Sequence, residues 1–184
     1  MKFRPKRYPT RLKPSVTILD VDGVITDGQF VYSSEGKFTK TFGPDDTDAI
    51  SLLSRVCEVR FVTGDKRGFE ISARRIVKDL GHQLDLVSTS RRLDWIANLY
   101  SLETVTYIGD GIFDHLVLKK VGYGIALANS LPHVREAADF VTTRKGGDRA
   151  VAEACLHLFS KFWPQINVLS EEWIAERVSG TWSN

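Results

Sequence analysis

A chain of 184 residues, 42% hydrophobic and 26% charged, has room for one domain with a sizeable core. Its formal net charge of +2 is too small to argue for nucleic acid as a partner. No apolar run reaches the roughly 18 residues of a membrane span, so no membrane association is expected.

The chain opens on a basic arm, residues 1–15, in which MKFRPKRYPTRLKP carries six Lys or Arg. It reads as a solvated arm or a contact for an anionic surface, and no apolar signal-peptide segment follows it. SVTILD predicts a short buried strand over 16–20. QFVYSS and KFTKTF alternate around Glu35-Gly36 and predict a β-hairpin over 29–42, with Gly36 in the turn. A helix is expected over 46–55, with Ala49, Ile50, Leu52 and Leu53 as its apolar stripe. EVRFVTG predicts a strand stopping at Gly64, followed by a helix over 68–80 and a strand over 84–88. A helix over 91–100, a strand over 104–108 and a helix over 113–120 come next. YGIALAN predicts a strand that leads to a helix starting near Pro132, a residue suited to a first helical turn. A strand over 139–142 and a helix over 149–159 complete the series. The extension 161–184 holds Trp163, Trp173 and Trp182 and a helix over 170–178 capped by Ser170. Its tryptophans either pack back on the domain or meet a neighbouring subunit.

Short strands alternating with single helices predict an α/β fold over 16–160, a mostly parallel sheet with helices on both faces. Cys57 and Cys155 stand in apolar surroundings and make no disulfide framework, which fits a reducing, cytoplasmic setting.

In such sheets ligands gather beyond the carboxyl ends of the strands. The first strand end offers Asp20 and Asp22, the second Thr63 and Gly64, the third Ser88 to Ser90 with Arg91 and Arg92 behind, and the fourth Gly109, Asp110, Gly111 and Asp114. Carboxylates at a buried strand exit are costly unless a positive charge answers them. Asp20, Asp22 and Asp110 suit a hard divalent cation, and Mg²⁺ takes such oxygen ligands. One of Asp20 and Asp22 can attack an electrophile while the other shuttles a proton. Thr63 can donate to a transferred group, and Arg92 can neutralise its anionic oxygens.

Residues 20–28, DVDGVITDG, resemble the first motif of the haloacid dehalogenase-like phosphohydrolases, and GDGIFD, residues 109–114, resembles the fourth. The resemblance implies that Asp20 becomes phosphorylated and that Asp22 is the general acid/base. It further implies that Thr63 is the hydroxyl of the second motif, that Asp110 binds Mg²⁺ with Asp114 in support, and that the Asp22 backbone carbonyl joins the metal. Length, early hairpin, motif spacing and the ending TTRKGGDRAVAEAC resemble the capless subfamily of 3-deoxy-D-manno-octulosonate 8-phosphate and nonulosonate 9-phosphate phosphatases. That implies a Rossmann-like fold with the hairpin in place of a cap, a homotetramer, and an eight- or nine-carbon acidic sugar phosphate as substrate. A carboxy-terminal segment closing a neighbour's site is implied as well.

The chain departs from that pattern at several places. Arg92 replaces the usual lysine of the third motif, and a guanidinium fork is not a point ammonium. FGPDDTDAI places Gly43 and Asp45 where His and Arg are usual, and keeps Asp46. Asp65 replaces the Arg of Thr-Gly-Arg. Asp45, Asp46, Asp48 and Asp65 are therefore candidate specificity residues, which either face the leaving group or lie in solvent or pair with Lys66 and Arg67. A phosphatase for a neutral or amino sugar phosphate, a non-catalytic assembly or regulatory protein on the same fold, and a phosphomutase are the competing readings. The last usually needs a cap to exclude water, and no insertion long enough for one lies between the first two motifs.

Overall fold

The computed structural model describes residues 12–178, and side chains as far as residue 174. The basic arm up to residue 11 and Trp182 lie outside the described residues. Six parallel strands form the central sheet: β1 Val16–Asp20, β4 Glu58–Thr63, β5 Gln83–Leu86, β6 Val105–Ile108, β7 Tyr123–Ala126 and β8 Phe140–Val141, in the order β5-β4-β1-β6-β7-β8. After β5 the chain returns past β1 to lay β6 on its other side. That reversal opens a crevice at the carboxyl ends of β1 and β6, where side chains of neither strand are covered by a crossover.

All five β1 residues are buried, and successive side chains serve opposite faces. Val16 and Ile18 join Ile96, Val117, Leu118 and Val134 on one face, beneath α3 Arg92–Leu99, α4 His115–Leu118 and α5 Pro132–Arg135. Leu19 and Phe61 join Ile50, Leu53, Val151 and Leu158 on the other, beneath α1 Asp46–Leu53 and α6 Ala150–Phe162. α2, Phe69–Ala73, continues into a wider π-type turn, Arg74–Asp79, that drives Ile76 into the same core. The predicted hairpin is present as a separate antiparallel pair, β2 Val31–Ser33 and β3 Gly36–Thr39, extended by a bridge between Thr26 and Phe42.

The helix expected from 113 begins later, at His115. The Asp114 carboxylate takes the Gly111 N–H at 3.0 Å and closes a turn ahead of it. Trp163 is buried in the core, and Trp173 of α7, Glu171–Val178, packs against it beside Phe159. Arg55 lies over the Trp173 ring at 3.8 Å and donates to its carbonyl at 2.6 Å. Both tryptophans thus rest on their own chain.

Two of the candidate specificity acids belong to this scaffold. Asp46 is fully buried, and its Oδ1 accepts the Ala152 N–H at 2.9 Å. It caps α6 from a different element, because Arg149, the residue before that helix, provides no side-chain cap. Asp45 holds a left-handed backbone, φ 64°, and pairs with Arg149, itself left-handed at φ 66°, at 2.6 Å. Asp48 stands on the exposed side of α1. Burial pushes the Asp46 carboxyl up to about 6, against the pull of the α6 amides.

Replacing Asp46 with Ala removes the cap and is expected to cost about 1–2 kcal/mol, read as a lowered urea midpoint. Asp46→Asn keeps an acceptor and is expected to avoid most of that loss. The folded carboxyl binds its proton more tightly than the unfolded one. Wild-type stability relative to Asp46→Asn should therefore decline as pH rises from about 4 to about 6.

Candidate active site

Asp20 ends β1 at the mouth of the crevice. Its Oδ1 accepts the Val21 N–H at 2.8 Å, which fixes the carboxylate against the turning backbone. Its Oδ2 accepts from Arg92 Nη1 at 2.7 Å. Arg92 starts α3 and is only 1% exposed. The same Nη1 reaches the Tyr107 hydroxyl at 2.6 Å and Asp114 Oδ1 at 3.0 Å, and Tyr107 in turn donates to Asp114 Oδ1 at 2.9 Å. Burial works against the guanidinium charge, but Tyr107, Asp20 and Asp114 together hold its pKa above the ordinary value. Asp20 is pushed up to about 6, chiefly by burial, with Arg92 opposing and Asp114 adding to the rise.

Asp110 follows β6 on the other side of the crevice. Its Oδ2 accepts from Asn129 Nδ2 at 2.8 Å, while Oδ1 is buried with no hydrogen-bond partner. Burial, then the Asp20 and Asp114 carboxylates, push it up to about 7. Oxygens of Asp20, Asp110 and Asp114 lie within 4.8 Å of one another. An orphaned buried carboxylate oxygen on Asp110, with the carboxylates of Asp20 and Asp114 beside it, fits a divalent cation with oxygen ligands.

The Asp22 side chain is not part of that cluster. Its Oδ2 accepts from the Thr63 hydroxyl at 3.2 Å, and Oδ1 lies 2.7 Å from Lys40 Nζ. The second contact is a close ion pair set off the line of a good hydrogen bond. Of the residues expected to bind metal, the fold gathers Asp20 and Asp110 by side chain and turns the Asp22 carboxylate toward the hairpin.

Two glycines permit this crowding. Gly23, at φ 83°, has no room for a side chain, because a Cβ there would stand 2.1 Å from Asp110 Oδ2. A Cβ at Gly109 would stand 2.4 Å from Asp114 Oδ2 and 2.5 Å from the Tyr107 ring.

The hairpin brings two lysines that carry no signature in the sequence. Lys40, with its side chain wholly enclosed, reaches Asp22, Asp65 Oδ2 at 2.9 Å and Ser72 Oγ at 2.8 Å. Lys37 also bonds Asp65 Oδ2 and sits 3.3 Å from the centre of the Phe30 ring. Burial would raise the Asp65 carboxyl, yet Lys37 and Lys40, with the Gly68 N–H, hold it down at about 2. Asp65 thus pairs with hairpin lysines instead of Lys66 and Arg67. Asn129, beyond the end of β7, ties three loops: it donates to the Gly23 carbonyl and Asp110 and accepts the Gly146 N–H at 2.9 Å. Asn129 follows the fifth sheet strand in chain order, one beyond the four whose ends carry the candidate residues.

A cavity of about 300 Å³ opens over these groups. Asp20, Asp22 and Arg92 line it together with Phe30, Lys37 and Asp65, and Gly64 and Thr89 complete the wall. Asp45, Asp46 and Asp48 do not line it. The arrangement sets one carboxylate, Asp20, against a buried cation, and a second, Asp22, near a hydroxyl and an ammonium. It can offer a nucleophile and a proton carrier to the same small electrophile. Among the described residues, no helix is long and apolar enough to cross a membrane.

Residues 93–154 match the model of the haloacid dehalogenase-like hydrolase family. The 3-deoxy-D-manno-octulosonate 8-phosphate phosphatase KdsC of Escherichia coli K12 is 33% identical over 150 residues, 75% of each chain. The crystal structure of the corresponding phosphatase from Moraxella catarrhalis, in complex with magnesium, phosphate and KDO, superposes with a TM-score of 0.71. It is 26% identical and covers 90% of this chain and 92% of that one. The cobalt-bound deoxy-D-mannose-octulosonate 8-phosphate phosphatase of Haemophilus influenzae gives a TM-score of 0.75 at 26% identity, covering 91% and 97%. With the six-stranded parallel sheet, the hairpin between its first two strands and the acidic crevice at their head, these likenesses place the chain in the haloacid dehalogenase-like superfamily, in the KdsC-like subfamily of phosphoric monoester hydrolases.

Proposed function

We propose that this chain is a Mg²⁺-dependent phosphatase of a sugar phosphate monoester, with an eight- or nine-carbon acidic sugar phosphate as its substrate. The observation that carries the reading is the pairing of Asp20 with a buried Arg92, both lining one cavity, beside the orphaned Asp110 oxygen. Asp20 and Asp110, with the Asp22 carbonyl, are the proposed ligands of Mg²⁺, which when bound would neutralise phosphate oxygens.

Asp20 attacks phosphorus with one carboxylate oxygen, and the P–O bond to the sugar breaks. Asp22 delivers a proton to the departing sugar oxygen. The aspartyl phosphate on Asp20 is then hydrolysed by a water whose proton passes to Asp22. Arg92 offsets charge on the transferred group, and the Thr63 hydroxyl steadies the Asp22 carboxylate at 3.2 Å.

An acidic leaving group is supported because the acid added at position 65 is neutralised by two lysines. The hairpin leaves Val31 and Phe38 exposed, Phe38 by 68% and on the opposite side of β3 from Lys37. We take this apolar face as the contact of a homotetramer, and the free thiols of Cys57 and Cys155 as fitting a cytoplasmic enzyme.

Asp20→Asn is expected to leave the fold intact and lower phosphate release by more than about 10³-fold. Turnover near wild type in that variant would remove Asp20 from the mechanism. Chelator-treated protein should lose activity and regain it with added Mg²⁺; full activity after chelation would count against a metal. Multi-angle light scattering should give four times the chain mass, and Phe38→Glu should shift it toward smaller species. A fully active monomer in wild type at micromolar concentration would dismiss the tetramer.

A further inference from the structure

The hairpin does more than stand beside the site, because its inner face carries two lysines over the cavity and its rim. Asp65 has its acceptors taken up within the chain: Oδ2 by Lys37 and Lys40, Oδ1 by the Gly68 N–H at 3.1 Å. It therefore has little to offer a ligand. Lys40 is fully enclosed and divides its charge among Asp22, Asp65 and Ser72. Lys37 differs from it in lining the cavity. Of its three N–H donors, one is spent on Asp65; the Phe30 ring centre lies 3.3 Å and the Tyr32 ring centre 5.9 Å away, and the Lys40 ammonium bonds the same Asp65 oxygen. A ring face attracts a cation through its quadrupole and takes one N–H direction, which leaves the third donor of Lys37 for a ligand.

With Asp20 and Arg92 as the place of phosphate chemistry, Phe30, Lys37 and Asp65 are the lining residues with side chains left to meet the rest of the substrate, beside Thr89. The tight hold on Asp65, whose carboxyl stays ionised down to about 2, makes it a fixed anchor for the lysine and keeps its own charge answered. We propose that Lys37, anchored by Asp65 and Phe30, is the specificity-determining residue that receives the carboxylate of an acidic sugar as the leaving group. This rests on the sugar phosphatase reading given above. It reassigns the part played by Asp65, which positions a cation and does not face the substrate as an uncompensated acid.

The test uses 3-deoxy-D-manno-octulosonate 8-phosphate and its carboxyl methyl ester, which share the phosphate and carbon chain and differ by one charge. Para-nitrophenyl phosphate serves as a third substrate. kcat and KM are measured in wild type, Lys37→Gln, Lys37→Arg and the exchanged pair Lys37→Asp with Asp65→Lys. Wild type should favour the free acid over the ester. In Lys37→Gln that preference should fall about ten- to a hundredfold, the scale of one charge-assisted hydrogen bond, mainly through KM on the acid. Lys37→Arg and the exchanged pair should each restore part of it, because a cation stays at the rim. Lys37→Met, which keeps the stem against Phe30, is read in the same way if the Gln variant does not fold. An undiminished preference in the Gln or Met variant overturns the assignment, as does equal use of acid and ester by wild type; in both cases the phosphatase reading survives. A wild type that cleaves para-nitrophenyl phosphate and neither sugar ester ends the reading of an eight-carbon acidic sugar phosphate and the role of Lys37 in it.

Discussion

The site depends on one buried cation. Arg92 is enclosed by the sheet and α3 and gives a single nitrogen to Asp20, Tyr107 and Asp114. Removing a charge from water costs several kcal/mol, and Asp20 and Asp114 would each be costly on their own. Together with the Tyr107 hydroxyl they form a network in which each partner makes the others tolerable. The network is not fully satisfied, since the guanidinium Nε is itself buried without a partner. A guanidinium spreads its donors over a plane, so one edge can bind these three groups while the side chain still lines the cavity.

Sheet topology determines where that network can form. β1 pairs with β4 on one side and β6 on the other, so the Asp20 turn and the Asp110 turn are neighbours despite their distance in sequence. Asn129 then ties the two turns to the loop at Gly146, fixing a third strand exit to the same point. The glycines at 23 and 109 are the steric condition for this approach. The hairpin is held at its base by the Thr26–Phe42 bridge and over the site by charge, Lys37 and Lys40 meeting Asp22 and Asp65.

Much of this was legible in the residues. The buried strands are short β-branched runs, and their exits carry Asp20, Thr63 and Asp110, so both the parallel sheet and the rim could be read from pattern. What could not be read was which acids the scaffold itself consumes. Asp46 looks like a helix-start acid of α1, and nothing local says that α6, more than a hundred residues later, needs it as a cap. Asp45 answers Arg149 across the same junction. Lysines on a half-exposed hairpin look like solubility, and only the folding of the hairpin over β4 turns Lys40 inward. Tyr107 alternates with its neighbours like any core residue, and its hydroxyl partner Arg92 is fifteen positions away.

The pairing of β1 with β6 has a consequence for how the protein folds. Val16 and Val105 are partners across the ladder, so Asp20 and Asp110 meet only after a loop of nearly ninety residues has closed. In the unfolded ensemble these acids are far apart and fully hydrated, and their mutual repulsion is felt by the native state alone. Any cation that binds the completed cluster therefore binds the native state and not the chain that precedes it. Its occupancy shifts the folding equilibrium by mass action, and the seam between the two halves of the sheet becomes as stable as the ion supply allows.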